Sequence, residues 1–225
     1  MELCPECHAG CCRRFNVYVL GSDIIRICES LKMDMSVFVN PIPLPADKIE
    51  KYRFNNTAIF MYKDGGEGQY YCLALKSDFS KFYPETTKCI FLQEFNAEIL
   101  SRGKIPGTIS RCGIYGCRPA ICRAFPATYY DEEKQIKIKD PHLVIEKAKA
   151  AVQDSPAYNL CARGLTEEDY VPFVEGYVKD AVLEYYESEF FCKVAEKWNN
   201  DPDLFDNFYD FLLKEYNNRI EYMQK

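Results

Sequence analysis

The chain has 225 residues, of which 48% are hydrophobic and 28% charged, and its formal net charge is -6. This composition is typical of a globular protein with a sizeable core and excludes a disordered chain. No apolar run approaches the roughly 20 residues that a membrane-spanning helix needs, and the N-terminus lacks the basic and apolar regions of a signal peptide. We therefore expect a cytoplasmic protein that does not bind membranes.

Charge is divided unevenly along the chain. Residues 1–130 carry 16 Lys and Arg against 13 Asp and Glu, whereas residues 131–225 carry 12 against 21. The acidic second part would repel nucleic acid, and no basic stripe elsewhere is long enough to overcome that repulsion. Nucleic-acid binding is therefore not expected.

Four cysteines crowd the first twelve residues, namely Cys4, Cys7, Cys11 and Cys12. They are metal ligands, disulfide partners or a chance cluster. Twelve cysteines in a reducing compartment are poor candidates for disulfides, and such short spacings indicate metal or redox chemistry instead. We interpret them as metal ligands, although secretion of the chain would restore the disulfide interpretation.

The next stretch predicts a short strand followed by a helix. Alternating apolar residues from Phe15 to Val19 favour the strand, and Ser22 or Asp23 can cap a helix. Apolar residues on one face of that helix include Cys28, which is expected to be a small buried hydrophobe. Residues 40–50 are rich in proline, so they are predicted to form an extended connector outside any helix or central strand.

Two β-prone runs then flank a glycine-rich separator, which predicts a hairpin of residues 57–62 with residues 69–75. Cys72 lies inside the second run and is assigned to packing. A later apolar run covers residues 89–92, and Cys89 stands at its leading edge. A side chain there can reach a neighbouring loop, so Cys89 is a candidate ligand.

A second cysteine cluster contains Cys112, Cys117 and Cys122, with two glycines and two prolines close by. Such a composition predicts an irregular, tightly turned loop. The Cys4/Cys7 pair is half of a metal site for zinc, iron or an iron–sulfur cluster, and this loop is the obvious donor of the other half. Side chains of adjacent residues are expected to diverge, so the Cys11/Cys12 pair favours two ions or one polynuclear centre.

Arginines flank both clusters, and cationic groups there would offset the negative charge of thiolate-bound metal. Any one of these arginines could be an ordinary surface charge. Because the set flanks both clusters, we interpret it as contacts to the metal centre or to an anionic ligand. They are Arg13, Arg14, Arg111, Arg118 and Arg123.

The acidic last part of the chain predicts helices. Residues 128–139 favour a short hairpin, after which Asp140-Pro141, the capping-box pattern at Thr166 and Asp201-Pro202 mark helix starts. Apolar residues recur at helical intervals between Tyr170 and Tyr216. The predicted class is thus α+β, with a cysteine-rich metal-binding domain of short strands, hairpins and irregular loops over residues 1–139. An α-helical region over residues 140–225 packs on it.

Both clusters together resemble the YkgJ-type, or CxxCxxCC, zinc- or iron-chelating domain. The resemblance covers residues 4 to about 165 and rests on four motifs. They are the N-terminal cluster ending in Cys11-Cys12, Cys89-Ile-Phe-Leu92, Cys112-Gly-Ile-Tyr115-Gly-Cys117-Arg118-Pro119-Ala-Ile-Cys122-Arg123, and Cys161-Ala-Arg-Gly164. The chain departs from the family in having three residues before Cys11 and in having Cys117 at a variable position.

The resemblance implies a ligand set and a metal, but no reaction. The implied ligands are Cys4, Cys7, Cys11, Cys12, Cys89, Cys112, Cys122 and Cys161, with Cys117 as an extra candidate. The implied cofactor is an iron–sulfur cluster, for example 4Fe-4S, or iron, with zinc as the alternative. Arg13, Arg118 and Arg123 are the candidates for contacts to the bound group.

Two further functions stay open. Some flagellin lysine methylases that contain this domain are iron–sulfur proteins, so a metal-dependent protein lysine N-methyltransferase is the alternative to a metal-binding protein. The sequence offers no phosphate loop, nucleophile elbow or zinc-protease helix, and it has only two histidines. The acidic helical tail is also a candidate docking site for a protein partner.

Overall fold

The computed structural model describes most of the chain, and it is a mixture of helices and small antiparallel sheets. The described residues are 10–84, 87–96, 98–99, 108–125, 127–130, 135–138 and 174–224. This mixture confirms the predicted α+β class.

Seven α-helices lie in the described part of the chain. They are α1 (Gly10–Arg14), α2 (Gly21–Leu31), α3 (Met35–Phe38), α4 (Ile49–Phe54), α5 (Ala120–Ala124), α6 (Val174–Asn200) and α7 (Phe208–Met223). Three 3₁₀ turns accompany them, at Ala46–Lys48, Tyr115–Cys117 and Phe205–Asn207.

Eight strands form four two-stranded sheets within the same described ranges. The strands are β1 (Val39–Pro43), β2 (Tyr71–Leu75), β3 (Ser77–Phe79), β4 (Thr87–Cys89), β5 (Leu92–Asn96), β6 (Thr108–Cys112), β7 (Ala127–Tyr130) and β8 (Gln135–Ile138). They pair antiparallel as β1–β2, β3–β4, β5–β6 and β7–β8.

The chain divides into two compact units, each built from separated stretches. The first unit draws on the described residues of Met1–Val17, Lys76–Gly116 and Cys122–Ala181, and the second on those of Tyr18–Leu75, Cys117–Ile121 and Val182–Lys225. The predicted domain boundary between residues 139 and 140 lies outside the described residues and stays a prediction.

The first unit holds three of the four sheets. Helix α1 packs against β4, and β5 pairs with β6 so that Leu92 lies opposite Cys112. Ala124, Ala127 and Ala181 form a small buried cluster, over which partly buried aromatic and aliphatic side chains of β7 and β8 pack. This unit therefore contains short elements held by many local pairings.

The second unit is built around an aromatic core. Phe60, Phe191 and Phe208 are almost fully buried, and the Phe60 ring centroid lies 5.1 Å from that of Phe191 and 4.9 Å from that of Phe208. The indole Nε1 of Trp198 donates to the carbonyl oxygen of Met61 at 2.6 Å. Helices α2 and α7 pack together in the same unit.

The side-chain amide of Asn199 forms two hydrogen bonds with the backbone of residues 59–61 in the second unit, as a neighbouring strand would. Its Nδ2 donates to the carbonyl oxygen of Ile59 at 2.8 Å, and its Oδ1 accepts from the backbone N–H of Met61 at 2.8 Å. Backbone groups that would otherwise be left unsatisfied on this stretch are thereby paired.

Local patterns with strong periodicity are confirmed. The predicted helix is present as α2, with Ile24, Ile27 and Cys28 buried on one face. It begins earlier than predicted, at Gly21, so that its N-cap is Leu20 and not Ser22 or Asp23. Asp23 accepts a hydrogen bond from the backbone N–H of Leu20, which satisfies a donor at the helix start. The predicted hairpin of residues 128–139 is present as β7 and β8, although its turn lies outside the described residues.

Four predictions about strands and helix ends are wrong. The proline-rich segment is not an extended connector outside helices, because it forms β1 and then becomes helical through the 3₁₀ turn Ala46–Lys48 and the start of α4. Strand β2 pairs with β1, and residues 57–62 contribute only the bridge from Phe60 to Tyr71. Residues 15–20 make one isolated bridge, at Tyr18. The last helix begins at Phe208, after a 3₁₀ turn, and not at Asp201-Pro202. The predicted helix starts at residues 140 and 166 lie outside the described residues.

Candidate metal centre

Five thiols of the first unit are supplied by four separate elements. Helix α1 carries Cys11 and Cys12, Cys89 ends β4, Cys112 ends β6, and Cys122 lies in α5. Cys89 is buried and the other four are half-buried. Residues that are separated by more than 100 positions in the sequence are thus assembled in one compact unit.

A turn at Gly113 follows Cys112, the last residue of β6. The backbone N–H of Gly113 donates to the carbonyl oxygen of Phe91 at 2.8 Å. A Cβ atom at Gly113 would lie 3.1 Å from that same oxygen, closer than side chains normally approach a backbone carbonyl. A side chain at residue 113 would therefore crowd this turn, and its neighbours would have to shift by a few tenths of an ångström.

The adjacent cysteines in α1 point in the same direction. The Sγ atoms of Cys11 and Cys12 are 4.0 Å apart. Two thiolates bound to one tetrahedral zinc ion, each about 2.3 Å from the metal, are separated by about 3.8 Å. The expectation that these side chains diverge is wrong, and the pair fits a single metal ion as well as two atoms of a cluster.

The thiols also affect one another electrostatically. The pKa of Cys12 is raised well above its usual value, first by its hydrogen bond with Cys11, then by burial, and further by the charges of Cys11, Cys122 and Cys89. Burial raises the pKa of Cys89 to about 11, and the charges of Cys112 and Cys11 add to that effect. These interactions connect Cys12 with Cys11, Cys122 and Cys89, and they connect Cys89 with Cys112 and Cys11.

These raised pKa values describe a site that favours neutral thiols when it holds no cation. A bound divalent metal ion reverses this effect, since the metal is the largest local charge and deprotonates the thiols that coordinate it. Soft thiolate donors are the ligands that zinc, iron and iron–sulfur clusters prefer. The chemistry of the donor set therefore fits the group that the sequence implies.

The described thiols do not form a closed coordination shell. Within the described ranges, no three His, Cys, Asp or Glu side chains are close enough together to hold a metal ion. The predicted ligands Cys4, Cys7 and Cys161 lie outside those ranges. Five of the predicted donors thus belong to the described part of the first unit, and three of the predicted donors are not described.

The remaining described cysteines lie in the second unit. Cys117 ends the 3₁₀ turn Tyr115–Cys117 and is half-buried. Cys28 and Cys72 are buried in apolar surroundings, which confirms their assignment to packing, and Cys72 is 1% exposed. Cys192 is half-buried in α6.

The three predicted arginine contacts are engaged with protein groups. Arg13 forms a buried ion pair with Glu94, with 2.6 Å between Nη2 and Oε1. Arg123 lies 3.5 Å from a carboxylate oxygen of Asp180, measured from its Nε. The backbone carbonyl of Arg118 accepts a hydrogen bond from Arg26 at 3.0 Å.

Sequence reasoning missed the structural importance of two carboxylates. Asp23 is fully buried in the second unit, where it accepts from the backbone N–H of Ala120 at 3.0 Å and from Arg26 at 2.5 Å. Burial raises its pKa, and Arg26 and the two backbone donors, Leu20 and Ala120, oppose that rise. It thus anchors the Arg118–Ala120 segment, in which Pro119 is also buried.

Glu94 is the second carboxylate. Burial raises the pKa of Glu94, but hydrogen bonds from Ser80 and Arg13, together with the charge of Arg13, bring it below its ordinary value. The sequence does carry a signal for this residue. Glu94 lies two positions after Leu92, so strand periodicity places it on the same face as that buried residue.

Comparison of the chain with models of known protein families, with curated proteins and with solved structures found no match. Among the described helices, none combines the length and the apolar character that crossing a membrane requires.

Proposed function

We propose that this chain is a metal-binding protein whose cysteine thiolates hold an iron–sulfur cluster or iron, with zinc as the alternative. The observation that carries the proposal is the assembly of Cys11, Cys12, Cys89, Cys112 and Cys122 in one compact unit. Five of the nine cysteines in the described part of the chain lie in this unit, supplied by four separate elements. The cysteine spacings that resemble the YkgJ-type domain point to the same donor chemistry, although no family model matches the chain.

The ligand set combines described and undescribed cysteines. Cys4 and Cys7 precede α1 by only a few residues and are proposed to complete the site with Cys11 and Cys12, while Cys161 is a further proposed ligand. The 4.0 Å separation of the Cys11 and Cys12 sulfurs permits a mononuclear centre, so several metal atoms are not required. Cys117 lies in the second unit and is not part of this proposed ligand set. The docking of a protein partner on the acidic helices stays a prediction.

When bound, the metal would contribute to folding as well as to function. Metal binding of this kind couples to the folded state, because an unfolded chain does not hold the thiolates together. Helix α1 has five residues and is too short to be stable by its own hydrogen bonds. Coordination through Cys11 and Cys12 would therefore fix it in place.

The proposal is tested by metal analysis of protein purified under anaerobic conditions, combined with its visible spectrum. An iron centre with thiolate ligands absorbs near about 400 nm, whereas zinc–thiolate does not absorb there. We expect bound iron with this absorption, or zinc without it. Protein that contains neither iron nor zinc would refute the proposal.

A matched pair of cysteine variants locates the site. Cys12→Ser removes a thiol of the cluster, and we expect most of the metal to be lost. Cys192→Ser removes a half-buried thiol of the second unit, and we expect the metal content to stay at the wild-type level. Equal metal content in the two variants would show that Cys12 is not a ligand.

A further inference from the structure

The first unit contains a buried ion pair directly beside the cysteine helix. The side chain of Arg13 is 0% exposed and that of Glu94 is 4% exposed, and their Nη2 and Oε1 atoms are 2.6 Å apart. Arg13 follows Cys12 in α1, whereas Glu94 belongs to β5. A charged contact thus joins the helix that carries two thiols to the β5–β6 sheet.

The carboxylate of Glu94 is held on both oxygens. Oε1 also accepts from the hydroxyl of Ser80 at 2.7 Å, and Oε2 accepts from the backbone N–H of Lys81 at 3.3 Å. Ser80 itself accepts from the backbone N–H of Tyr83 at 2.9 Å. Glu94 is therefore oriented by contacts other than the one that it makes with Arg13.

The guanidinium of Arg13 is fixed equally well. Its Nη2 also donates to the hydroxyl of Ser110 at 3.1 Å, and its Cζ lies 4.8 Å from the centroid of the Tyr83 ring. A planar guanidinium that binds several partners at once has a defined direction, which a lysine ammonium would not have. The pair thus determines how α1 is oriented on the sheet, and not only that it is attached.

Strand register places this contact beside Cys112. Glu94 lies opposite Ser110, and Leu92 lies opposite Cys112, in the β5–β6 pairing. Residues two apart in a strand point to the same face, so these four residues share one face of the sheet. Arg13 binds to that face, and the same short helix packs against β4, which ends at Cys89.

We infer that Glu94 is a positioning residue for the thiol cluster. Through Arg13 it sets the position and rotation of α1, and so holds the sulfurs of Cys11 and Cys12 beside Cys89 and Cys112. The importance of this position for a metal rests on the proposed function. The position of α1 is a property of the metal-free chain as well, so the test uses metal-free protein.

A purely stabilising role does not account for the arrangement. A buried ion pair gains little stability over apolar side chains of the same volume, because both charges lose their hydration. What it adds is direction, since a guanidinium and a carboxylate pair in few geometries. A five-residue helix that carries two thiols needs such a directional attachment more than it needs additional apolar contact.

The test measures alkylation rates of individual cysteines in metal-free, reduced protein, by mass spectrometry of peptides after timed treatment with iodoacetamide. Glu94→Gln keeps the shape of the side chain and removes its charge. We expect Cys11 and Cys12 to react about tenfold faster or more, because local opening of α1 exposes them. Cys28 and Cys72, buried in the second unit, should react at the wild-type rate and thereby report that this unit is folded, while slow reaction of the buried Cys89 reports that the first unit is folded.

Glu50→Gln is the matched control. Glu50 also pairs with an arginine, Arg53, at 2.9 Å, but that pair is exposed and belongs to the second unit. We expect no change in the rates of Cys11 and Cys12 in this variant. Unchanged rates at Cys11 and Cys12 in Glu94→Gln, in protein whose Cys28 stays protected, would overturn the inference.

A double variant decides the outcome if Glu94→Gln unfolds the protein and Cys28 also reacts faster. Arg13→Met with Glu94→Leu replaces the ion pair by apolar contact, which buried pairs tolerate, and leaves the net charge unchanged. We expect Cys11 and Cys12 to react faster in this folded variant as well. Wild-type rates in the double variant would refute the inference. Absence of metal from the wild-type protein would refute only the proposed function.

Discussion

Glu94 makes the stability of the first unit depend on pH, because its ionised carboxylate binds Arg13. Its pKa is brought below the ordinary glutamate value of 4.5, since the contributions of Ser80 and Arg13 outweigh the effect of burial. A carboxylate with a lowered folded-state pKa stabilises the fold above its unfolded-state pKa, and that stabilisation is lost as pH falls through the folded-state value. The contribution of Glu94 is therefore complete at neutral pH and disappears in acid.

This linkage predicts how Glu94→Gln depends on pH. At pH 7 the variant should have a free energy of unfolding about 3–5 kcal/mol lower than the wild type, because a buried arginine loses its partner. The difference should shrink as pH falls below about 4.5, where the unfolded chain takes up a proton, and through the lower folded-state pKa of Glu94, where the wild-type carboxylate becomes neutral. Urea denaturation of both proteins at several pH values measures it. A difference that stays constant down to pH 3 would contradict the assignment.

The cysteines of the candidate site can be predicted from the sequence, but the buried carboxylates that hold the surrounding segments in place cannot. Cys89 and Cys112 are identifiable because cysteine itself is the signal, and motif spacing connects them to the first cluster. Asp23 and Glu94 are not, since an acidic residue in a sequence is most often at the surface. Their burial depends on Arg26 and Arg13, and such pairings become visible only when distant segments are placed together.

At the scale of elements, close approach between helices α2 and α7 depends on a glycine. Helix α2 begins at Gly21, and a Cβ atom there would lie 2.6 Å from Cε2 and 2.8 Å from the hydroxyl oxygen of Tyr216 in α7. The Tyr216 ring is held on another side by Phe190, whose centroid is 5.0 Å away. The start of α2 thus has no room for a side chain.

We predict that Gly21→Ala lowers the free energy of unfolding by about 1–3 kcal/mol, the usual result of overpacking. Gly176→Ala is the matched control, since Gly176 lies in helix α6 and no atom comes within 4 Å of the place that its added methyl group would occupy. That exchange should instead stabilise the protein by up to about 1 kcal/mol through helix propensity. Thermal and chemical denaturation of the two variants show whether the loss of stability comes from the contact with Tyr216 or from replacing any helical glycine.

Elements with a strong local pattern are predictable, and those formed by distant pairing are not. The apolar stripe of α2 and the two runs of the β7–β8 hairpin carry their own signal over about ten residues. Strand β1 contains two prolines, which argue against a central strand, yet it pairs with β2 in a two-stranded sheet. Proline is tolerated at such an edge because the missing donor need not be satisfied.

At the scale of the whole molecule, the second unit depends on aromatic packing among residues far apart in the sequence. Phe208 is completely buried and its ring centroid lies 4.9 Å from those of Phe60 and Trp198. The chain has a single tryptophan, so its fluorescence reports on this core alone. Loss of Phe208 would leave a cavity between residues of two chain segments.

We predict that Phe208→Ala lowers the free energy of unfolding by about 3–5 kcal/mol, the usual cost of removing a buried phenylalanine. Phe54→Ala is the control, because Phe54 is 86% exposed and the change should stay within about 0.5 kcal/mol. Denaturation followed by Trp198 fluorescence measures both. Equal effects of the two substitutions would contradict the assignment of Phe208 to the core.

The separated stretches that make up the second unit also impose an order on its synthesis. Phe60 and Tyr62 leave the ribosome well before Trp198 and Phe208, against which they pack. During that interval a nascent chain carries an aromatic surface with no partner, and such surfaces are prone to aggregate. The unit can close only after the last helices have emerged from the ribosome.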